Sequence, residues 1–564
     1  MILVLFIWLV AALGTVGLGV GAYRLAARLG VGGATELPAP EWLSLAGAAL
    51  LTAALQLYSL QGPIDGRSQL LFGLCTALVL VLNRRAVAAV LRCTGPWRWR
   101  AAGWLGAALL FLLLAWVLTF AAQPPTNYDA GLYQLQTLQW TERFAAVPGL
   151  GNLHGRLAFN SSFYLLLALL RAATPGGPAY ALSSYLYAVL AVAAGRAVLA
   201  GQQPDARAAW APLLLLLALL YGFQVWLSSP TTDTTTAALL GLLFCRFAQQ
   251  PPGRASEAER LLLVLLTAWA VTIKLSAAPV LLLGLGAVWA GRAGQSGLRT
   301  WLPPLALAGG LALPWVARNV VLSGYLVYPL PALDVLDVDW KVPLAAARAE
   351  QHLIVNLARN AAQAAAAAPG PLLGDWLGNW WRPQVYMPGA VVLAGLISPL
   401  PALWRWRRLR RLPAAEQGWA AGWLVAWLGS VFWLVAAPDY RFGAGFLLVA
   451  ALWPWLGPRW PGPLLQGRLR YFSAVLLLGW ALYQLRDPLY YLRHDPARFA
   501  GRLLWPEPPP KPATEAVPLA PGLRVQVPRA GAQCWGAPLP CAPRAEAGLR
   551  PRGHTLAEGF RRAD

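Results

Sequence analysis

The sequence contains few charged residues for its length. Of its 564 residues only 12% are charged and 58% are hydrophobic, whereas about a quarter of the residues of a typical soluble domain are charged. Apolar runs of about twenty residues, the length that crosses a bilayer as a helix, recur along the chain. This composition excludes an ordinary soluble or disordered protein and predicts an all-α polytopic membrane protein.

Lysine is scarce as well, although the formal net charge is +22. Lys274, Lys341 and Lys511 are the only lysines, so arginine supplies nearly all of the positive charge. Much of the arginine lies in short loops between apolar runs, where positive charge marks the cytoplasmic side of a membrane. We therefore expect the bilayer to be a partner and expect no nucleic-acid partner. The first ten residues lack the positive region of a signal peptide and predict a retained span.

The alternation of apolar runs with arginine-rich loops predicts about fourteen transmembrane helices, with the N-terminus and a C-terminal tail outside the cytoplasm. We expect extra transmembrane helices in residues 1–100, a main membrane domain in 101–486 and a small extracytoplasmic tail in 487–564. Two long extracytoplasmic loops, residues 123–178 and 323–383, interrupt the main domain.

The first long loop predicts juxtamembrane helices rather than a plain connector. From Gln134 to Phe144 the polar residues share one helical face and leucines occupy the other, which suits a helix lying along the membrane surface. The apolar run Asn160–Leu170 is too short to cross, so it predicts a re-entrant or interfacial helix. The alanine-rich stretch Ala361–Pro369 predicts a further helix in the second loop.

Cysteine is rare, with five in the chain, and two of these lie close together in the tail motif QCWGAPLPC. Pro538 and Pro540 would bend the short loop between Cys534 and Cys541. Because the predicted topology places this tail in an oxidising compartment, we predict a disulfide that orders a small cap against the outer loops. The alternative is a pair of free thiols in a disordered tail.

Candidate functional residues gather at the predicted outer ends of the spans. Asp129 directly follows an apolar run, and the motif SSPTTDTTT places Asp233 at the head of a later span. Lys274 lies between two apolar runs, where an unpaired ammonium is costly and is by default functional. For each of the other candidates taken by itself, a solvated or structural role is the better interpretation. Taken together, however, they predict one extracytoplasmic cavity. These other candidates are Tyr128, His154, Arg156, Asn160, Arg318, Asn319 and Arg441.

Several of these motifs resemble the GT-C glycosyltransferases, membrane enzymes that use polyprenyl-phosphate-linked sugars and include protein mannosyltransferases and aminoarabinose transferases. NYDAGLYQLQ is similar to the acidic segment of their first outer loop, and TTDTTTAALLGLLF and VTIKLSAAP resemble later family segments. The likeness covers roughly residues 101–456. YDAGLYQLQ, GLGNLHGRLAFNSSF and QCWGAPLPC more closely resemble a group of bacterial multi-spanning membrane proteins that have no assigned activity.

The resemblance implies a transferase of the bacterial inner (plasma) membrane that moves a sugar from a polyprenyl-phosphate donor to an envelope glycan, lipid or protein, with inversion. Asp129 would be the catalytic base. Lys274, Arg156 and Arg318 would stabilise the departing phosphate. A divalent cation such as Mg²⁺ or Mn²⁺ on Asp129 and Asp233 is left open.

The chain departs from the aminoarabinose-transferase pattern at two places. Ala130 follows Asp129 where that pattern has a second acid, and HGRLAFNSS stands where it has K-P-P. His154 or Arg156 would then replace the missing lysine as the phosphate ligand, and the arginine is favoured because its guanidinium holds two oxygens at once. For His154, a role as a hydrogen-bonding residue that fixes the loop is equally open.

Two other classes of function remain open on the sequence. A transporter or flippase for a lipid-linked sugar would use the same cationic cavity without a base, although no paired, repeat-related broken helices are evident. A non-catalytic envelope assembly protein would use the outer loops and tail to bind partners.

Overall fold

The computed structural model describes most of the chain. The described residues are 1–92, 101–171, 181–199, 211–249, 255–290, 301–360, 368–371, 376–382, 387–400, 414–456, 493–506 and 508–562, with a few isolated positions between them. Most of the apolar run 472–485, all of the arginine-rich stretch 404–411 and most of the predicted alanine-rich helix lie outside these residues.

The described residues form a mostly helical protein with a small β-rich C-terminal part. Its first helices are α1 (Ile2–Arg28), α2 (Pro40–Ser59), α3 (Gly66–Arg92), α4 (Ala101–Ala121), α5 (Leu135–Arg143), α6 (Phe163–Arg171), α7 (Ala181–Leu199), α8 (Ala211–Phe223) and α9 (Thr232–Gln249). The later helices are α10 (Glu257–Ile273), α11 (Leu281–Ala290), α12 (Leu302–Ser323), α13 (Leu344–Ala358), α14 (Trp376–Trp381), α15 (Met387–Ile397), α16 (Ala414–Ala436), α17 (Tyr440–Leu456) and α18 (Pro496–Leu504).

Within the described residues, 5 helices are long and apolar enough to cross a membrane. They are Ile2–Arg28, Pro40–Ser59, Gly66–Arg92, Leu302–Ser323 and Gly418–Ala436. Four shorter apolar helices of 10–17 residues accompany them. The helical class agrees with the expectation from composition, while the number of about fourteen spans stays a prediction.

The first two helices pack with their backbones in contact. A Cβ added to Gly19 would lie 2.1 Å from the carbonyl oxygen of Leu43, and a Cβ added to Gly47 would lie 1.9 Å from the carbonyl oxygen of Thr15. The Ser44 hydroxyl lies 2.8 Å from that of Thr15 and 2.7 Å from that of Tyr185, which ties the pair to α7. Small residues allow this close approach, as is usual where apolar helices associate in lipid.

One end of the helix bundle, here called the loop end, carries the long loops and both chain termini. The Met1 amino group donates to the Arg502 carbonyl at 2.6 Å. The turn after α2 contacts the first long loop, since the Ile64 amide donates to the Thr141 carbonyl at 2.9 Å. The N-terminus, the α2–α3 turn, the first loop and the tail therefore share one end of the bundle.

Two breaks in helix geometry set the position of side chains at the loop end. Helix α10 stops at Lys274, whose φ of −154° and ψ of 127° are extended, and a 3₁₀ segment, Leu275–Val280, follows before α11. Helix α12 ends at Gly324, whose φ of +81° lies in the left-handed region that glycine adopts readily. The chain then turns back over the first loop.

The first long loop is buried rather than laid on the membrane surface. It begins with a π-helical turn, Ala130–Gln134, continues as α5 and ends in the short helix α6. Every residue from Leu135 to Thr141 is buried, so the predicted polar face does not meet solvent. The interpretation of α5 as a surface helix is therefore wrong, because the C-terminal part covers it; the short helix α6 does form, as Phe163–Arg171.

The C-terminal part forms two small antiparallel β-hairpin sheets. Strand β1 (Thr514–Ala520) pairs with β2 (Leu523–Pro528), and β3 (Leu549–Pro551) pairs with β4 (Phe560–Arg562). Cys534 and Cys541 are joined by a disulfide in the loop between the sheets. Phe560 packs edge-on against Trp140 of α5, with ring centroids 5.8 Å apart, so this part caps the first loop.

Candidate functional site

Asp129 stands at the centre of a buried charge cluster at the loop end. It precedes the π-helical turn, and its backbone amide donates to Asn127 Oδ1 at 2.8 Å, which fixes the start of that turn. Its Oδ1 accepts from Arg156 Nη1 at 3.0 Å, and its Oδ2 accepts from Arg441 Nη1 at 3.0 Å. Two guanidinium groups, 27 and 312 residues away, therefore share one carboxylate.

Arg441 connects this carboxylate to a second acid and to the lysine. Its Nε donates to Asp439 Oδ2 at 2.9 Å and lies 3.8 Å from Asp233 Oδ2. Asp233 is in the first turn of α9, where the helix dipole favours a negative charge, and its Oδ1 pairs with Lys274. The Lys274 ammonium also lies 3.9 Å from the centroid of the Phe442 ring, within the range of a cation–π contact.

A fourth acid comes from the second long loop. Glu350 of α13 accepts from Arg156 Nε at 3.3 Å, so Arg156 bridges Glu350 and Asp129. Burial raises the pKa of Glu350, and the neighbouring Arg156 opposes that rise. The cluster thus draws on both long loops and on the starts of α9 and α17.

The cluster lies on the wall of a cavity of about 480 Å³. Asp129, Arg156, Asp233, Lys274 and Arg441 line its polar part, together with Asn160 and Asp439. The rest of the wall is largely apolar and aromatic, and includes Tyr164, Trp315, Tyr328, Leu330, Ile354, Val355, Phe432, Trp433 and Phe442. A ligand with one charged end and one apolar end matches this division.

Six of the ten predicted catalytic and binding residues line the cavity, namely Asp129, Arg156, Asn160, Asp233, Lys274 and Arg441. The other four do not contribute to its wall. Tyr128 is 57% exposed, and its backbone carbonyl accepts from Gln533 at 2.9 Å. Burial lowers the pKa of His154 to about 3, with Arg156 adding to the effect, so its ring is neutral near pH 7 and offers no charge to a phosphate.

Arg318 and Asn319 serve the packing of α12 instead. Arg318 donates to Ser59 Oγ at 2.7 Å and to Asn160 Oδ1 at 3.1 Å, and it is buried. Asn319 donates to the Trp315 carbonyl at 3.2 Å. Arg318 therefore lies behind the cavity wall, bonded to Ser59 of α2 and to the wall residue Asn160, and its contact with a leaving phosphate stays a prediction.

Sequence reasoning missed Glu350 and the aromatic wall. Asp439 is not among the predicted site residues either, although it lines the cavity. Glu350 lies 194 residues beyond Arg156 in an unremarkable helical pattern, so no local signal marked it. The cation–π partner Phe442 follows Arg441 directly, and the motif APDYRFG was the signal that could have identified it.

A divalent metal does not fit this arrangement. Both oxygens of Asp129 accept bonds from guanidinium groups, and Asp233 is paired with Lys274 and approached by Arg441. Within the part of the chain that the structure describes, no group of three or more His, Cys, Asp or Glu residues could hold a metal ion. Metal binding at Asp129 and Asp233 would require the cations to leave first.

The fold and this site define a class: a helical protein with the apolar helices of a multi-pass membrane protein and one charged cavity at its loop end. A family model described as a domain of unknown function (DUF8201) matches residues 1–448, so the chain belongs to that family. The matched region contains the whole charge cluster. Comparison with curated proteins and with solved structures found no match.

Proposed function

We propose that the protein is an inverting GT-C glycosyltransferase that moves a sugar from a polyprenyl-phosphate donor to an envelope acceptor. The proposal includes about fourteen transmembrane helices in the bacterial inner membrane, with the loop end outside the cytoplasm. The observation that carries it is one carboxylate held by two arginines at the polar side of an apolar-walled cavity.

The cavity suits the two ends of such a donor. Its aromatic and aliphatic wall, including Ile354, Phe432 and Trp433, offers an apolar surface to the first isoprene units. Lys274 and Arg441 lie on the same wall, and both contact the carboxylate of Asp233. Cations of these two types bind phosphate by charge-assisted hydrogen bonds.

Donor binding would also change the state of Asp129. A phosphate that takes hydrogen bonds from Arg441 competes with Asp129 for the same guanidinium nitrogens. Release of that contact leaves one oxygen of Asp129 available to an acceptor hydroxyl, while Arg156 keeps the carboxylate in place through its Glu350 contact. The empty and the donor-bound site would then differ in which anion Arg441 holds.

The reaction needs one displacement. The acceptor hydroxyl attacks the anomeric carbon, its proton passes to Asp129, and the bond from that carbon to the phosphate oxygen breaks. Polyprenyl phosphate leaves with the bonding electron pair, and Lys274 and Arg441 stabilise its charge. Attack opposite to the leaving group inverts the anomeric configuration.

The test is consumption of the donor. Purified protein in lipid nanodiscs is incubated with radiolabelled polyprenyl-phosphate sugars, with and without an envelope extract as acceptor, and the lipid-linked label is followed over time. Loss of label from the lipid with transfer to the extract supports the transferase. Label that stays on the lipid but crosses the bilayer of a proteoliposome identifies a flippase instead.

The sidedness that the proposal assumes has its own test. Cys534 and Cys541 are bonded and lie at the loop end, so a membrane-impermeant maleimide should label them in intact cells only after reduction. Labelling only after cell lysis would place the loop end in the cytoplasm and overturn the proposed location of the reaction.

A further inference from the structure

The C-terminal part holds the backbone on both sides of Asp129. Before it, Gln533 Nε2 donates to the Tyr128 carbonyl at 2.9 Å. After it, the Trp535 amide donates to the Gly131 carbonyl at 2.8 Å. Two residues more than 400 positions away in the sequence thus fasten the segment that carries the carboxylate.

The contact between Trp535 and Gly131 leaves no space for a side chain at Gly131. A Cβ added to Gly131 would lie 2.5 Å from Trp535 Cε2 and 2.7 Å from its Cδ2, so the indole occupies the place of a side chain. Gly131 lies in the π-helical turn, whose wider winding is often found at functional sites. The absence of a side chain at Gly131 is what admits the ring.

A third set of bonds holds Trp535 itself. Gln136 Nε2 donates to the carbonyls of Trp535 at 3.0 Å and Ala537 at 2.9 Å. The disulfide Cys534–Cys541 closes the loop that contains Trp535, and both cysteines are buried. Trp535 has a φ of +44°, an uncommon value for a bulky residue, which persists only where the surroundings impose it.

These contacts carry an inference that rests on the proposed function and deepens it. We propose that Trp535 is a positioning residue for Asp129: its ring over Gly131 fixes the π-helical turn and thereby the direction of the carboxylate into the cavity. The C-terminal part would then be required for turnover, although none of its described residues lines the cavity.

The inference predicts a loss in turnover number without a matching loss in donor binding. In Trp535→Ala the carboxylate is misplaced, and a misplacement of about 1 Å lowers kcat by about 10²-fold. The donor is held by Lys274 and Arg441, so its KM should change by less than about threefold. Trp535→Phe keeps a ring over Gly131 and should recover most of the lost kcat.

A second readout does not depend on catalysis. Hydrogen–deuterium exchange of the amides in residues 127–136 should be faster in Trp535→Ala than in wild type. Trp505→Ala is the matched control, since Trp505 is in the same C-terminal region and 57% exposed, and it should change neither kcat nor this exchange. Wild-type exchange and kcat in Trp535→Ala would overturn the positioning role.

A double-mutant cycle separates positioning from simple misfolding of the C-terminal part. Gly131→Ala should lower kcat in the wild-type background, because its Cβ collides with the indole. In the Trp535→Ala background the added Cβ meets only the end of the flexible Gln533 side chain, at 2.9 Å, so the second loss should be much smaller, and full additivity of the two losses would contradict the contact with the indole as the cause. Wild type that consumes no donor would overturn the proposed function instead, while the exchange result would still decide whether Trp535 holds the segment.

Discussion

The molecule has buried ion pairs at both ends of its helix bundle, and they differ in how the charges are shared. At the end opposite the loop end, here called the far end, Arg246 of α9 binds Glu259 of α10 through two nitrogens of its guanidinium group. One of them is Nε, at 3.0 Å. At the loop end Asp129 divides its two oxygens between Arg156 and Arg441. The side-chain exposures are similar, at 10% and 9% for the first pair and 13% and 12% for Arg156 and Asp129.

The difference shows that burial of an ion pair is not by itself a sign of function. Glu259 directs both of its oxygens to the single cation Arg246, and the Trp42 ring lies 5.2 Å from the guanidinium carbon. At the loop end Arg156 and Arg441 each contact more than one acid, and the cluster faces a cavity. Shared partners can be exchanged for an incoming anion, whereas a closed pair only fastens two helices.

The sharpest test of this comparison is Asp129→Asn. The amide keeps the shape and removes both the charge and the basic oxygen, so turnover should fall by ~10²-fold or more, the range of lost general-base catalysis. Donor consumption by the folded variant is the measurement. The control is Glu259→Gln, the same kind of change at the far end, which should leave turnover per folded molecule unaltered; near-normal turnover in Asp129→Asn would remove that residue from the mechanism.

The far end should respond in stability instead. Arg246→Met leaves Glu259 buried without its partner, and breaking a buried pair in this way costs about 3 kcal/mol or more. Thermal unfolding in detergent or nanodiscs measures it. A variant of unchanged stability but reduced donor turnover would show that the two ends are coupled and would break the comparison.

Donor affinity should depend on the lysine at the break after α10. Lys274→Met keeps the apolar stem and removes the ammonium, so the donor KM should rise about tenfold or more, the equivalent of one charged hydrogen bond. Lys511→Met, in an exposed position of the tail, is the matched control. An unaltered KM in Lys274→Met would mean that the lysine only neutralises Asp233.

The smallest effect is expected at Arg318, which does not line the cavity. Arg318→Lys keeps the charge but cannot hold Ser59 and Asn160 at once, so stability should fall by about 1 kcal/mol. The donor KM should stay within about threefold of wild type. A large rise in KM would restore Arg318 as a ligand of the donor and would place the phosphate nearer to α12 than the cavity wall suggests.

Sequence reasoning recovered much of the candidate site because its residues lie where apolar runs end. Asp129, Asp233 and Lys274 could be identified in that way, since a charge beside a span is readily seen in one dimension. Glu350 could not, because it is an ordinary member of a helix that the fold places over Arg156. Arg318 also ends a span, but its side chain bonds to Ser59 and Asn160 and does not line the cavity, which its position in the sequence could not show.

The sequence alone determined the class of the molecule, the burial-prone helices and the positions at which charge meets an apolar run. These follow from composition and from the cost of placing polar groups in lipid, which act on each segment separately. Only the tertiary structure decided that Arg441 binds Asp129, 312 residues earlier in the chain, and that the Trp535 ring packs against Gly131. Such contacts depend on which helix ends lie next to each other, and this is determined by the packing of the whole chain.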